Sequence, residues 1–286
     1  MILREREDGF QVFMVRRHSG NEFLADRYVY PGGKLDDEDC TADAAEHVES
    51  MTPEDARQRL DEDIDPYSAL GLFLAGVRET FEESGLLLAR RVGEEDFIDL
   101  TSDPEVSARF SNYREQLQRS EISLSEVAER ESLVFPMQWL GYFAHWITPH
   151  IESKRYDTRF FVCLAPENQA PLHDEHETTD SLWLTPREAL ERSRGDDFLL
   201  APPTLRTLQR IADFDSAADA LAFARSHIPP RILPHMQMQG DDVLLYLPGD
   251  PEFPEDDPRF SDVDPVSSDV TRMRMVSMGK WEVIES

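Results

Sequence analysis

Lysine is almost absent from this chain of 286 residues: Lys34, Lys154 and Lys280 are the only ones among 29 basic residues, the rest being arginine. Acidic residues number 58, the formal net charge is -29, and no window of the chain is basic. A protein that neutralises many phosphates needs a basic stripe, so duplex nucleic acid and anionic membrane surfaces are excluded as partners. Cysteine is scarce too. Cys40 and Cys163 stand far apart, so no disulfide framework is expected and a reduced cytoplasmic compartment fits best. Apolar runs are short: none approaches the ~18 residues that span a bilayer. Met1 to Glu7 lacks the apolar core of a signal peptide and reads as the start of a strand. Also missing are a G-x-S-x-G elbow, a phosphate-binding P-loop and a G-x-G-x-x-G turn, which excludes serine hydrolases, nucleotide-triphosphate motors and dinucleotide dehydrogenases.

Enough apolar residue is present for a core. Leu, Ile, Val and Phe make up about a quarter of the chain, above the roughly 20% that marks disordered segments. Ile2 to Arg4, a turn at Asp8-Gly9 and Phe10 to Arg16 read as a hairpin. Tyr28 to Tyr30 then runs into a sharp turn at Pro31-Gly32-Gly33. Residues 36–65 are acidic, carry helix-like pieces at Ala42 to Glu49 and Pro53 to Leu60, and read as an insertion. Asp65-Pro66 starts a helix, a capping side chain followed by a proline at the first helical position, and Gly85 supplies its left-handed cap. Leu86-Leu87-Leu88 is expected to follow as a short strand. Further helices are expected over Pro104 to Gln118, Ser123 to Glu131, from Pro186, and near Thr204 to Ala212 and Ser216 to Arg225. Strands are expected over Trp139 to Ile147, over Arg159 to Leu164 and ending at Trp183-Leu184. Hairpins around Gly240 and from Met273 to Val283 complete the chain. Strands mixed with helices throughout imply an α/β or α+β sandwich rather than a bundle or a barrel.

At roughly 100° per residue, Leu70, Phe73, Leu74, Val77 and Phe81 form one stripe of the helix from Pro66 to Ser84. Glu79, Glu82 and Glu83 group on the opposite face. Like charges at i, i+3 and i+4 repel by a few tenths of a kcal/mol per pair unless a cation sits among them. Taken alone, this is an amphipathic helix with a wet acidic face.

The string Arg78-Glu79-Thr80-Phe81-Glu82-Glu83-Ser84-Gly85-Leu86, with Pro31-Gly32-Gly33 upstream, resembles the Nudix box, the signature of hydrolases that cut nucleoside diphosphates linked to another group. The resemblance implies a Nudix-type α/β/α sandwich with a mixed sheet. Residues 1–286 then form a single domain, with helical insertions at 36–65 and 93–133 and a C-terminal extension over 200–286 that carries the hairpins. Gly33 and Arg78 are 45 positions apart, about 31 more than in the usual box. Asp39 falls where the box places a glutamate, but the insertion breaks the register and no role is assigned to it. Hard carboxylate oxygens suit Mg²⁺ or Mn²⁺. As the resemblance implies, Glu79, Glu82, Glu83 and the Gly33 carbonyl hold the metal, Glu82 and Glu83 act in catalysis, Arg78 orients the glutamates, and a bound water is activated. A general base usually comes from a second segment in this family. His173-Asp174-Glu175-His176-Glu177, just before Asp180, is the candidate, with Glu177 first and Glu175 second. An acidic loop is by default a solvated one, and His173 and His176 are a weak cue to a transition metal.

Val15-Arg16-Arg17, Tyr28-Val29-Tyr30-Pro31, Arg155-Tyr156-Asp157-Thr158-Arg159-Phe160-Phe161 and Pro202-Pro203-Thr204 are similar to the coenzyme A branch with a long insertion inside the box. The implied substrate is a small nucleotide-derived molecule, coenzyme A or an acyl form, cut to 3′,5′-ADP and 4′-phosphopantetheine or its acyl form. Tyr30 and Asp26 stand where that branch has phenylalanine and glycine, so an ADP-ribose or nucleotide-sugar diphosphatase stays open, as does a non-catalytic nucleotide-binding module. With a screening length of about 8 Å, local cations decide phosphate binding. Arg16, Arg27, Arg155 and Arg159 are the candidates, because a guanidinium fork suits phosphate, and Arg17 and Lys34 lie nearby. The segment from Pro104 to Glu131 reads as a lid or as the surface of a homodimer.

Overall fold

A computed structural model describes residues 1–17, 26–171, 178–240, 242–266 and 270–284. The chain begins with β1 (Ile2–Arg6), β2 (Gly9–Arg17) and β3 (Tyr28–Val29), then α1 (Ala42–Glu46), β4 (Val48–Glu49), α2 (Pro53–Leu60) and the long helix α3 (Pro66–Ser84). Next come β5 (Arg90–Arg91), α4 (Pro104–Gln118), α5 (Leu124–Glu131), β6 (Leu133–Pro136), β7 (Gly141–Ile147), β8 (Asp157–Leu164) and β9 (Thr178–Leu184). The remainder holds α6 (Pro186–Arg192), α7 (Pro202–Ile211), α8 (Ala217–Ser226), β10 (Arg231–Ile232), β11 (His235–Gln239), β12 (Asp242–Tyr246), β13 (Arg272–Ser277) and β14 (Lys280–Ile284).

Seven strands form the central sheet, in the order β10-β7-β8-β1-β2-β3 with β9 also on β2. It is mixed, since β1 runs parallel to β8 and β10 to β7 while the other pairs are antiparallel. Successive side chains of a strand face opposite sides, and this sorts the core into two. Phe13 and Val15 of β2 join Ile2, Tyr142, Cys163 and the Leu70–Phe81 stripe of α3 on one side. Val12 and Met14 join Leu3, Phe143, Val162 and the apolar faces of α7 and α8 on the other. The expected three-layer sandwich follows from that alternation.

Leu86, Leu87 and Leu88 are buried as expected but do not form a strand. Their backbone finds its partner in a side chain instead: the Leu87 N–H donates to Gln169 Oε1 at 2.8 Å, while Gln169 Nε2 donates to the carbonyls of Leu87 at 3.0 Å and Ile98 at 2.9 Å. A buried peptide group must be paired somehow, and a buried glutamine does here what a neighbouring strand would do. Trp139 likewise belongs to a short 3-10 turn (Met137–Trp139), and β7 starts only at Gly141.

The two C-terminal hairpins are present and fuse. β12 pairs with β13, so β11-β12-β13-β14 make one antiparallel sheet that packs on the second core through Leu245, Leu247, Met273 and Trp281. Cys40 and Cys163 are both unpaired. Among the described residues no helix is long and apolar enough to cross a membrane.

Candidate metal and diphosphate site

The rotational phase of α3 is set at both ends. Asp65 accepts the Ser68 N–H at 2.9 Å, Pro66 follows it, and Gly85 closes the helix in the left-handed region at φ 73° with its N–H on the Phe81 carbonyl. With the apolar stripe on the core, the glutamates turn to the opposite face. That face is not wet. The side chains of Glu79 and Glu82 are only 15% and 14% exposed, and Glu83 is buried.

What covers them is the segment after β3. Tyr30 is buried and its hydroxyl meets Thr207 Oγ1 at 3.0 Å, which holds the Pro31-Gly32-Gly33 turn over α3. The Gly32 N–H donates to Glu83 Oε2 at 2.9 Å. A Cβ on Gly33 would lie 2.3 Å from Glu79 Oε1, so only glycine lets the backbone come this close. A 3-10 turn (Asp37–Cys40) then settles on α3 at Gly71, where a Cβ would come within 2.8 Å of Cys40 Sγ and 3.1 Å of the Asp39 carbonyl.

That approach delivers Asp39 to Arg78. Nε of Arg78 lies 3.1 Å from Asp39 Oδ1 and Nη2 lies 2.9 Å from Oδ2, with both side chains buried. Nη1 reaches Glu79 Oε1 at 2.9 Å and Glu82 Oε1 at 3.1 Å, and Nη2 also donates to the Lys34 carbonyl at 2.7 Å and faces Asp36 at 3.3 Å. Asp39, given no role from the sequence, is thus the main partner of Arg78. The available signal was its place six positions after Gly33.

Asp36, Asp39, Glu79 and Glu82 put four carboxylates around one guanidinium, with Glu83 beside them on the Gly32 N–H. Burial pushes the Glu82 carboxyl above the usual carboxylate range, and Arg78 offsets this only in part. Burial also works against the charge of Arg78, but Asp39 and the two glutamates outweigh it and hold the guanidinium protonated. The cluster therefore has surplus negative charge on hard oxygen donors, and Glu79, Glu82, Glu83 and the Gly33 backbone stand together. Such a donor set fits Mg²⁺ or Mn²⁺.

These groups open on a cleft of about 1550 Å³. Of the expected phosphate ligands, Arg27 and Arg159 line it, and Arg16 and Arg155 do not. Arg27 is half-buried, donates from Nη1 to the Gly279 carbonyl, and has its pKa lowered by burial. Arg159 is clamped between Glu62 Oε1 at 3.0 Å and Asp157 Oδ2 at 3.2 Å. Arg16 pairs with Asp26 at 3.3 Å, and Arg155 Nε donates to the Thr148 carbonyl at 2.9 Å. Arg17 lines the cleft and has a buried Nε without a partner among the described residues. It shares the parity of Phe13 and Val15, which face α3, and that alternation was the signal for it.

Glu62, His145 and Asp157 also converge, with His145 Nε2 2.5 Å from Asp157 Oδ1. Arg159 pairs with both carboxylates, so its single positive charge offsets one of the two within this ion-pair network. His173, Glu175, His176 and Glu177 lie outside the described residues.

The sequence model of the NUDT19 Nudix domain matches residues 4–211. The chain is 27% identical over 278 residues to the acyl-coenzyme A diphosphatase NUDT19 of Xenopus laevis, a match covering 86% of this chain and 72% of the relative. Against the proteins of the same name from Gallus gallus and Homo sapiens the identities are 27% and 24%, covering 86% and 87% of this chain and 74% of each relative. Among solved structures, a NUDIX hydrolase from Alicyclobacillus acidocaldarius superposes with a TM-score of 0.63 at 25% identity, covering 77% of this chain and 92% of that one.

Proposed function

Because the chain belongs to the NUDT19 Nudix domain family, and is by that a Nudix hydrolase, we propose that it cuts the diphosphate of coenzyme A or an acyl-coenzyme A. The products are 3′,5′-ADP and 4′-phosphopantetheine or its acyl form. One observation carries the reading: Glu79 and Glu83 lie against the Gly32-Gly33 turn and Arg78 clamps Glu79 and Glu82, at the edge of a cleft larger than the roughly 300–1,000 Å³ of ordinary ligand pockets. The likeness to acyl-coenzyme A diphosphatases supports the substrate class.

In this reading Glu79, Glu82, Glu83 and the Gly33 carbonyl hold Mg²⁺ or Mn²⁺, which when bound neutralises the diphosphate and lowers the pKa of an attacking water. Arg78 holds Glu79 and Glu82 through the Oε1 oxygen of each. Arg17, Arg27 and Lys34, which line the cleft with no carboxylate partner among the described residues, take the phosphate charge. Glu177 is the proposed general base, with Glu175 next, on its place before Asp180. Two unpaired cysteines support a reduced cytoplasmic setting.

A panel of coenzyme A, acyl-coenzyme A, ADP-ribose and nucleotide sugars, each with Mg²⁺ and with Mn²⁺, tests the reading. Phosphopantetheine or its acyl form is the expected product. Release of a sugar phosphate alone would overturn the substrate assignment, and tight nucleotide binding without any turnover would point to a binding module. The double substitution Glu82→Gln with Glu83→Gln should abolish turnover and leave the circular dichroism spectrum unchanged.

A further inference from the structure

The sheet β11–β14 lies beyond residues 4–211, the part matched by the family, and yet it forms a wall of the same cleft. Met236 of β11, Leu245 of β12, Met275 of β13, Met278 at the β13–β14 turn and Trp281 of β14 all line it. In a chain with 58 acidic residues, this wall carries no carboxylate. Met236 and Met275 are half-buried, and Met278 is 96% exposed at the tip of the turn. An apolar side chain so open, lining the same cleft as two more methionines, is available to an apolar part of a ligand. The unbranched thioether side chain also adapts to apolar partners of varied shape.

This wall is joined to the phosphate end of the cleft. Arg27 donates to the carbonyl of Gly279, the residue after Met278, and Arg27 is six positions before Gly33 in a chain that runs directly through β3. Arg27 thus ties the methionine wall to the segment that carries Gly33, and both line one cleft. Among the sheet side chains that line the cleft only the Trp281 indole N–H could hydrogen-bond a sugar there, too little to replace its solvation. An alkyl chain would find its match.

We propose that the Met236–Met275–Met278 wall of the C-terminal sheet is the subsite for the acyl chain of an acyl-coenzyme A, so that this sheet sets the preference for acylated over free coenzyme A. The inference rests on the coenzyme A reading above.

The test is the ratio of kcat/KM for octanoyl-coenzyme A to that for free coenzyme A, with acetyl and dodecanoyl thioesters completing the series, all with Mg²⁺. In the wild type the value should rise with chain length, by up to roughly fourfold per methylene buried, mainly through KM. Met278→Glu places a charge at an exposed turn where folding is insensitive to it, and should lower the octanoyl-to-free ratio about tenfold. Met275→Ala should lower it in the same direction by less. Equal loss on both substrates in both variants, or a wild type indifferent to chain length, would overturn the subsite while leaving the coenzyme A reading intact. Absence of turnover for every coenzyme A substrate would overturn both.

Discussion

Arg78 and Asp39, 39 positions apart in sequence, form a buried two-pronged ion pair at the back of the glutamate cluster. Breaking such a pair from one side leaves an uncompensated buried charge and commonly costs about 3–5 kcal/mol. Arg78 keeps Glu79, Glu82 and Asp36 as partners, so Asp39→Asn should fall at the low end of that range. The expected outcome is a lower melting temperature together with at least a tenfold loss of kcat, since a guanidinium no longer anchored by Asp39 holds the two glutamates in a less fixed position. Asp39→Glu, which keeps the charge, should recover most of both.

Gly33→Ala separates metal binding from folding. The new methyl would meet the Glu79 carboxylate at 2.3–2.4 Å, and the flexible end of Glu79 is what gives way. Folding should therefore change little, while Mn²⁺ affinity measured by calorimetric titration drops at least tenfold. An unchanged affinity would show that Glu79 is not a ligand.

Gln169→Leu should do the reverse. It strips partners from the Leu87 N–H and from the carbonyls of Leu87 and Ile98, all in a buried stretch. At about 1–3 kcal/mol for each buried group left unpaired, partly relieved by relaxation, a loss of roughly 3 kcal/mol in urea unfolding is expected. Gln169 does not line the cleft, so KM and kcat below the unfolding transition should stay near wild type.

The C-terminal sheet carries its own acid sensitivity. Burial alone would raise the Asp250 carboxyl, but Arg272 at 2.7 Å, the Glu252 N–H at 2.9 Å and the Thr271 hydroxyl at 2.8 Å outweigh it and hold its pKa below the ordinary value. A carboxyl with a depressed folded pKa stabilises above its unfolded pKa, near 3.9, and that contribution is lost as pH falls through the folded value. Trp281 fluorescence should therefore report loosening of the sheet below about pH 4. Asp250→Asn should lower stability at pH 7 and flatten this part of the acid profile.

Much of the architecture was readable because the signals were local. Asp65-Pro66 and Gly85 bracket α3 within a residue, the stripe from Leu70 to Phe81 fixes which face is buried, and the strand alternation at Phe13 and Val15 sorts the two cores. The site was readable to the same extent, with Arg78, Glu79, Glu82 and Glu83 sharing one helix. What escaped depended on contacts between distant segments. Asp39 reaches Arg78 only because its turn packs on Gly71, and Leu86 to Leu88 look like a strand because a run of leucines cannot announce that Gln169 will satisfy its backbone. The arginines divide for a similar reason. Nothing in the spacing says that Glu62 and Asp157 claim Arg159, or that Arg27 turns to Gly279.

The pair at Arg78 also closes a ring. Between Asp39 and Arg78 the chain leaves the site, makes α1, β4, α2 and most of α3, and returns. Closing a flexible loop of that length costs on the order of 3 kcal/mol in chain entropy, and each doubling adds only about 0.6. Ala44, Ala56 and Leu60 bury that excursion against the core shared with α3, which offsets the entropy and turns the ring into a brace. Loosening the brace anywhere along its length, by proteolytic nicking near Asp61 for instance, would release the glutamates without touching one of them.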